Sequence, residues 1–162
     1  MFVTSVQNYE AVNLCQLEKT LLEQQNNIYN QLVVKCSKLE FYDTVLQKIE
    51  KNELTAFLRE NMKQDDRYLI ANLLMGTLPL RIETGRLLRI DRCNRICELC
   101  QKEIESECHF LFRCKMLDRN HSEVMSVKRE DEINTICELL KTPFKLLRVV
   151  KNLWNQRKEF LS

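Results

Sequence analysis

Hydrophobic residues recur every three or four positions along most of the chain, which is the spacing of amphipathic helices. This pattern predicts helices over about residues 5–34, 38–51, 54–58, 67–75, 130–141 and 143–157. Gly76 follows one predicted helix and Pro143 opens another, as expected of a residue that ends helices and one that fits their first turn. Because the chain has only two glycines and two prolines, long helices are favoured over a many-stranded sheet.

The hydrophobic period changes from helical to alternating between Leu78 and Ile90. Apolar residues there occupy every second position on both sides of Thr84 and Gly85, which offer a turn. Alternation of this kind predicts strands. We therefore expect a mainly α-helical protein with a small hairpin, or two extended segments, at its centre.

The same patterns divide the chain into three parts. Residues 1–64 form an N-terminal helical region, 65–120 a central module, and 121–162 a helical hairpin that packs on that module. A polar run at 23–27 interrupts the apolar stripe of the first helix. Such a helix is expected to pack loosely or to pair with another protein chain or with its own copy.

Composition limits the class of protein. A chain of 162 residues with 44% hydrophobic and 30% charged residues is typical of a globular protein. A net charge of +2 does not by itself indicate a nucleic-acid binder. The sequence has no apolar run near the ~18 residues of a membrane span and no signal peptide. We expect an intracellular protein, nuclear or cytoplasmic, with no membrane partner and with reduced cysteines.

The cysteines carry the clearest chemical signal. Five of the eight lie between residues 93 and 114, and thiols clustered near a histidine indicate a metal site. Cys97-x2-Cys100-x8-His109-x4-Cys114 supplies the four sulfur and imidazole ligands that zinc prefers. Because four protein ligands fill a tetrahedral shell, the sequence predicts one structural zinc ion. Ser106 would cap a helix that carries His109, with Cys114 at or just past its end.

Other assignments of these residues stay open. Cys93 or Cys108 could replace one of the four ligands. A redox role for the Cys97/Cys100 pair lacks the βαβ pattern that usually precedes such a motif. We expect the remaining cysteines to be small buried hydrophobes, namely Cys15, Cys36 and Cys137. His121 is expected to be a solvated surface residue.

A run of arginines precedes and overlaps the cysteine cluster. Five arginines against two acids give a local charge of 5 − 2 = +3, and arginine forks suit phosphate oxygens. They are Arg81, Arg86, Arg89, Arg92 and Arg95. The alternative is a solvated face whose arginines pair with nearby glutamates, namely Glu98, Glu103, Glu105 and Glu107. Phe110 and Phe112 are expected in the core, although bases could stack on such rings.

Three segments in order also resemble a known module. They are Leu80-Arg81-Ile82-Glu83-Thr84-Gly85-Arg86, Arg95-Ile96-Cys97-Glu98-Leu99-Cys100, and Ile104 to Cys114 with the core Glu105-Ser-Glu-Cys-His109-Phe-Leu-Phe-Arg-Cys114. Together they resemble the cysteine- and histidine-rich segment at the C-terminal end of non-LTR retrotransposon reverse transcriptases and of host proteins derived from them. The resemblance covers residues 67–119 and implies the same four zinc ligands.

In that family the module is thought to hold template RNA or target DNA, which the resemblance implies here. The chain lacks a polymerase palm, since Asp65-Asp66 is the only adjacent aspartate pair and lies in a short helical context. We therefore expect a detached, non-enzymatic module that contacts RNA or DNA through the five arginines. The alternative is a protein-interaction scaffold in which zinc only stabilises the fold.

Overall fold

The computed structural model describes residues 16, 20, 21, 23 and 24, followed by 39–49, 56–120 and 123–162. The chain divides into two compact units, residues 1–37 and 38–162. The five described residues of the first unit are helical; the rest of the helix predicted over 5–34 lies outside the described residues. The three-part division predicted from the sequence stays a prediction.

The second unit is mainly helical, as the sequence predicts. Its described residues form six α-helices, which are α1 (Glu40–Leu46), α2 (Ala56–Arg59), α3 (Gln64–Leu74), α4 (Arg81–Leu87), α5 (Glu132–Lys141) and α6 (Pro143–Leu161). Short 3-10 helices cover Arg92–Asn94 and Arg129–Asp131, and a π-helical turn covers His109–Arg113. Each of the predicted helices after residue 37 is confirmed, with different ends.

The two ends of α3 and the start of α6 lie at residues that favour helix ends. Asp65 and Asp66 lie in the first turn of α3, where acids favour the helix dipole. Gly76 just past its end has φ 62°, and the next N–H, of Thr77, donates to Asn72 O at 2.8 Å, as in a Schellman ending. Thr142 and Pro143 take the predicted N-cap and first positions of α6.

The hairpin predicted over 78–90 is wrong, because residues 81–87 form α4. The first turn of α4 is completed from a distant part of the chain. The N–H of Arg81 donates to a Glu105 carboxylate oxygen at 2.6 Å, and the N–H of Ile82 donates to the Glu105 carbonyl at 3.1 Å. These contacts satisfy donors that a helix start leaves free, so the segment becomes a helix despite its alternating pattern.

The core surrounds α6 and the 97–117 segment. The buried face of α6 carries Leu146, Val150 and Leu153, and it contacts α3, α5 and the π-helical turn. Phe110 and Leu111, in that turn, are fully buried, and Phe112 packs partly buried against the core. The candidate metal segment is thus part of the core. No helix among the described residues combines the length and apolar character needed to cross a bilayer.

Candidate metal centre

The structure brings together the four residues that the spacing predicts as ligands. One ligand atom from each of Cys97, Cys100, His109 and Cys114 lies within 4.8 Å of every other. Cys97, His109 and Cys114 are each 1% exposed, while Cys100 is half-buried. These four residues are close enough to hold a metal ion.

Two measured separations test the fit to a tetrahedral ion. Cys97 Sγ lies 3.8 Å from Cys114 Sγ, and Cys100 Sγ lies 3.4 Å from His109 Nε2. A zinc ion about 2.3 Å from sulfur and about 2.0 Å from nitrogen, at tetrahedral angles, requires separations of about 3.8 Å and about 3.5 Å. The arrangement is therefore consistent with zinc, with Nε2 as the histidine ligand atom.

A short closed loop presents the first two cysteines. Ile96 and Ile104 form an antiparallel bridge, and the N–H of Cys97 donates to Glu103 O at 2.8 Å. Inside this loop the N–H of Gln101 donates to Cys97 O at 2.9 Å. The loop turns sharply, and Gln101 has φ 53°. The turn brings both thiols to the same side of the loop.

A π-helical turn presents the other two ligands. Ser106 Oγ accepts the N–H of His109 at 3.3 Å, which confirms the predicted capping bond. The N–H of Cys114 donates to His109 O at 2.8 Å, an i→i+5 bond that defines the π geometry. On an α-helix, residues five apart point about 140° away from each other. A π-helical turn holds more residues per turn, so it brings the side chains of His109 and Cys114 closer to one direction.

The buried thiols of Cys97 and Cys114 lie within hydrogen-bond distance of each other, 3.8 Å apart. This contact together with burial raises the pKa of Cys97 to about 12. The same hydrogen bond lowers the pKa of Cys114. If both thiols were ionised, two negative charges would lie 3.8 Å apart in the core, and only a cation can offset them. The pair therefore favours a positively charged ligand.

Sequence reasoning missed a buried ion pair behind the metal segment. Glu105 (1% exposed) accepts two hydrogen bonds from Arg157 (6% exposed) at 2.8 and 2.9 Å. Burial alone would lower the pKa of Arg157, but the bonds and charge of Glu105 raise it. The Arg157 guanidinium also lies 5.5 Å from the Trp154 ring centre, and Trp154 meets Phe110 edge-on at 6.1 Å. Only the apolar stripe of α6, and not this pair, was visible in sequence.

Arg119 was missed as well. Its guanidinium donates to the carbonyls of Phe110, Leu111, Cys114 and Leu117, with distances between 2.5 and 2.8 Å. Phe110 and Leu111 lie in the π-helical turn, and the carbonyls at the end of a helix have no partner within it. Burial lowers the pKa of Arg119. An arginine five residues beyond the last ligand gives no sequence signal for this role.

The other cysteines lie outside the four-residue cluster. Cys93 is exposed, and Cys108 is half-buried with its pKa raised to about 12 by burial. Among the described residues, the cluster that could hold a metal contains neither of them. Cys137 is buried on α5, as predicted. Cys15, Cys36 and His121 lie outside the described residues.

The five arginines predicted to bind nucleic acid differ in their surroundings. Arg95 donates to the carbonyls of Ile90 and Ile82 at 2.9 and 3.1 Å. Arg86 makes two 2.8 Å bonds to the Glu83 carboxylate, and Arg81 pairs with Glu98 at 3.3 Å. Arg89 and Arg92 are exposed, with Arg92 paired to Glu40. Of the glutamates considered from sequence as partners, only Glu98 pairs with one of these arginines, Arg81. Arg86 and Arg92 pair with other glutamates, and Arg95 bonds to carbonyls instead.

Comparisons with known proteins add no relative. The chain matches no protein-family model, no curated protein sequence and no solved structure. The resemblance to the C-terminal segment of non-LTR retrotransposon reverse transcriptases therefore stays a prediction from the motif residues.

Proposed function

We propose that residues 38–162 form a non-enzymatic module whose fold is stabilised by one zinc ion on Cys97, Cys100, His109 and Cys114. The observation that supports this is the match between the 3.8 Å and 3.4 Å ligand separations and a tetrahedral zinc shell. Three sulfurs and one imidazole favour zinc over magnesium or calcium, which prefer oxygen. Because the protein fills all four positions, no site stays open for water, and the ion's role is structural.

The test is zinc content of the full chain purified under reducing conditions. We expect about one zinc per chain from a closed four-ligand site, and its loss in Cys114→Ser. Cys108→Ser is the matched control, because Cys108 neighbours His109 but lies outside the cluster. Loss of zinc in Cys108→Ser with retention in Cys114→Ser would contradict the ligand set. A folded wild-type protein without zinc would contradict the proposal itself.

We also propose that the module contacts RNA or DNA, as its resemblance to retrotransposon tails implies. The surface that we propose for this contact is the end of α4 and the residues just after it. Leu87 and Leu88 are 67% and 65% exposed there, and the exposed Arg89 and Arg92 follow them, with Arg92 in a surface ion pair with Glu40. Cationic side chains suit phosphates, and exposed leucines suit contacts with bases. The other three arginines support the fold.

Binding of the zinc-loaded chain to labelled RNA and DNA oligonucleotides at several salt concentrations tests this contact. Losing two phosphate contacts should lower the salt slope by about 2, so the double variant Arg89→Ala/Arg92→Ala should show that change. The control Lys145→Ala/Lys158→Ala removes the same charge from exposed positions of α6. Equal losses in both double variants would contradict a specific surface.

The alternative function is a protein-interaction scaffold, and the exposed Leu87 and Leu88 are what favours it. Sedimentation of the full chain over a range of concentrations distinguishes the two functions. Self-association without salt-dependent oligonucleotide binding would favour the scaffold. A monomer that binds oligonucleotides would favour the nucleic-acid module.

A further inference from the structure

Glu103 lies beside the ring nitrogen of His109 that does not face the cysteines. Nε2 is 3.4 Å from Cys100 Sγ, whereas Nδ1 is 3.6 Å from Glu103 Oε2. The ring is 1% exposed, and Nδ1 makes no hydrogen bond to any part of the chain that the structure describes. A buried ring nitrogen needs a partner, and a movement of a few tenths of an ångström makes the Glu103 carboxylate that partner.

Two arginines hold the Glu103 carboxylate in place. Arg113 and Arg129 each approach Glu103 Oε2 at 3.3 Å, one from the π-helical turn and one from the 3-10 helix before α5. Arg113 is fixed in turn by buried Glu132, 3.0 Å from its Nε. Glu103 is therefore anchored from two elements although its side chain is 44% exposed. An exposed carboxylate without such anchors would lose entropy on approaching His109.

We propose that Glu103 is a positioning residue for the metal centre, an inference that rests on the proposed zinc site. A neutral imidazole carries one N–H, and a carboxylate that accepts it at Nδ1 leaves the Nε2 lone pair for the ion. Carboxylates in this position orient histidine ligands and raise their basicity. Glu103 is not among the motif residues of the resemblance, so this role comes from the distances alone.

The experiment measures zinc affinity of the full chain by competition with a chromophoric chelator. Glu103→Ala should bind zinc about 10–100-fold more weakly, the usual cost of losing such a partner. Glu103→Gln should lose less, because its amide oxygen still accepts the N–H. Glu98→Ala is the matched control: Glu98 is 43% exposed, lies between the first two cysteines and pairs with Arg81 and Arg157. Its loss should stay within about twofold, as for an exposed ion pair.

A second measurement separates positioning from general stabilisation. Proton–nitrogen correlation spectra of the zinc-loaded protein should show a slowly exchanging Nδ1 proton on His109 in wild type and in Glu103→Gln. That proton should exchange rapidly in Glu103→Ala, with His121, the other histidine of the chain, as reference. Circular dichroism of the loaded variants checks that each is folded.

Wild-type zinc affinity in Glu103→Ala would overturn this role while leaving the zinc site intact. An equal loss in Glu98→Ala and Glu103→Ala would also overturn it, because the effect would then reflect charge alone. Failure of the wild-type chain to bind zinc would overturn the proposed function together with this inference.

Discussion

Glu105 and Arg157 form a buried bidentate ion pair across 52 residues of sequence, which joins the metal segment to α6. The same carboxylate lies 3.8 Å from the Cys97 thiol, and it caps α4 by accepting the N–H of Arg81. One carboxylate therefore connects the candidate metal centre, α4 and α6.

Removing Arg157 should leave Glu105 buried without its counter-ion. Breaking a buried pair on one side costs about 3–5 kcal/mol, so Arg157→Ala should lower the free energy of unfolding of the zinc-loaded protein by that amount. Urea denaturation measures the change. Lys158→Ala, at the exposed next position, should change it by less than about 0.5 kcal/mol. Similar values for the two variants would contradict a structural role for the pair.

Glu105→Ala should cost more than Arg157→Ala, because it also leaves the Arg81 N–H without its acceptor. Loss of a buried hydrogen-bond partner adds about 1–3 kcal/mol. Urea denaturation of both variants shows which one loses more free energy of unfolding. If Arg157→Ala proved the more damaging variant, Glu105 would not be the common point of these contacts.

Trp154 should report the state of the metal centre, because it is the only tryptophan and packs against Phe110, the residue after His109. Structural zinc contributes about 10–16 kcal/mol of apparent binding free energy, comparable with the ~5–15 kcal/mol stability of a domain. A zinc chelator should therefore shift Trp154 emission to longer wavelength and reduce helical circular dichroism. Zinc should restore both signals, and magnesium should not. Unchanged emission after complete zinc removal would count against a structural ion.

Gly85→Ala should destabilise the fold, even though alanine is more favourable than glycine within a helix by about 1 kcal/mol of free energy. A Cβ at residue 85 would lie 2.7 Å from Arg95 Cγ, and the two carbonyl bonds of Arg95 hold that side chain in place. Overpacking of this kind costs about 1–3 kcal/mol. Thermal unfolding measures the effect.

A double-mutant cycle provides the control for Gly85. With Arg95→Ala in the background the obstruction is gone, so Gly85→Ala should become neutral or stabilising. If the cost of Gly85→Ala were the same with and without Arg95, the close approach would not be its cause.

Arg119→Lys should destabilise the π-helical turn, because a lysine ammonium cannot reach the four carbonyls that the planar guanidinium bonds. We expect a loss of about 2–3 kcal/mol in the free energy of unfolding. Arg129→Lys is the comparison, because Arg129 is 69% exposed and makes an ion pair with Glu103. If Arg119→Lys changed the free energy of unfolding no more than Arg129→Lys does, the capping role of Arg119 would be contradicted.

The sequence predicts the parts of this molecule that depend on local spacing. The four candidate ligands, the Ser106 cap, the end of α3 at Gly76 and the start of α6 at Pro143 all follow from residues close in the chain. The helix over 81–87 could not be predicted, because its first turn is completed by Glu105. The uses of Arg95, Arg119 and Arg157 were equally hidden, since a count of charges does not show which cations bond to carbonyls or buried carboxylates.

The π-helical turn between His109 and Cys114 compensates for a spacing that a regular α-helix does not favour. On an α-helix a spacing of five places two side chains about 140° apart, whereas a spacing of four places them about 40° apart. A chain one residue shorter between these two ligands would therefore present them from a regular α-turn, without the i→i+5 bond from Cys114 to His109.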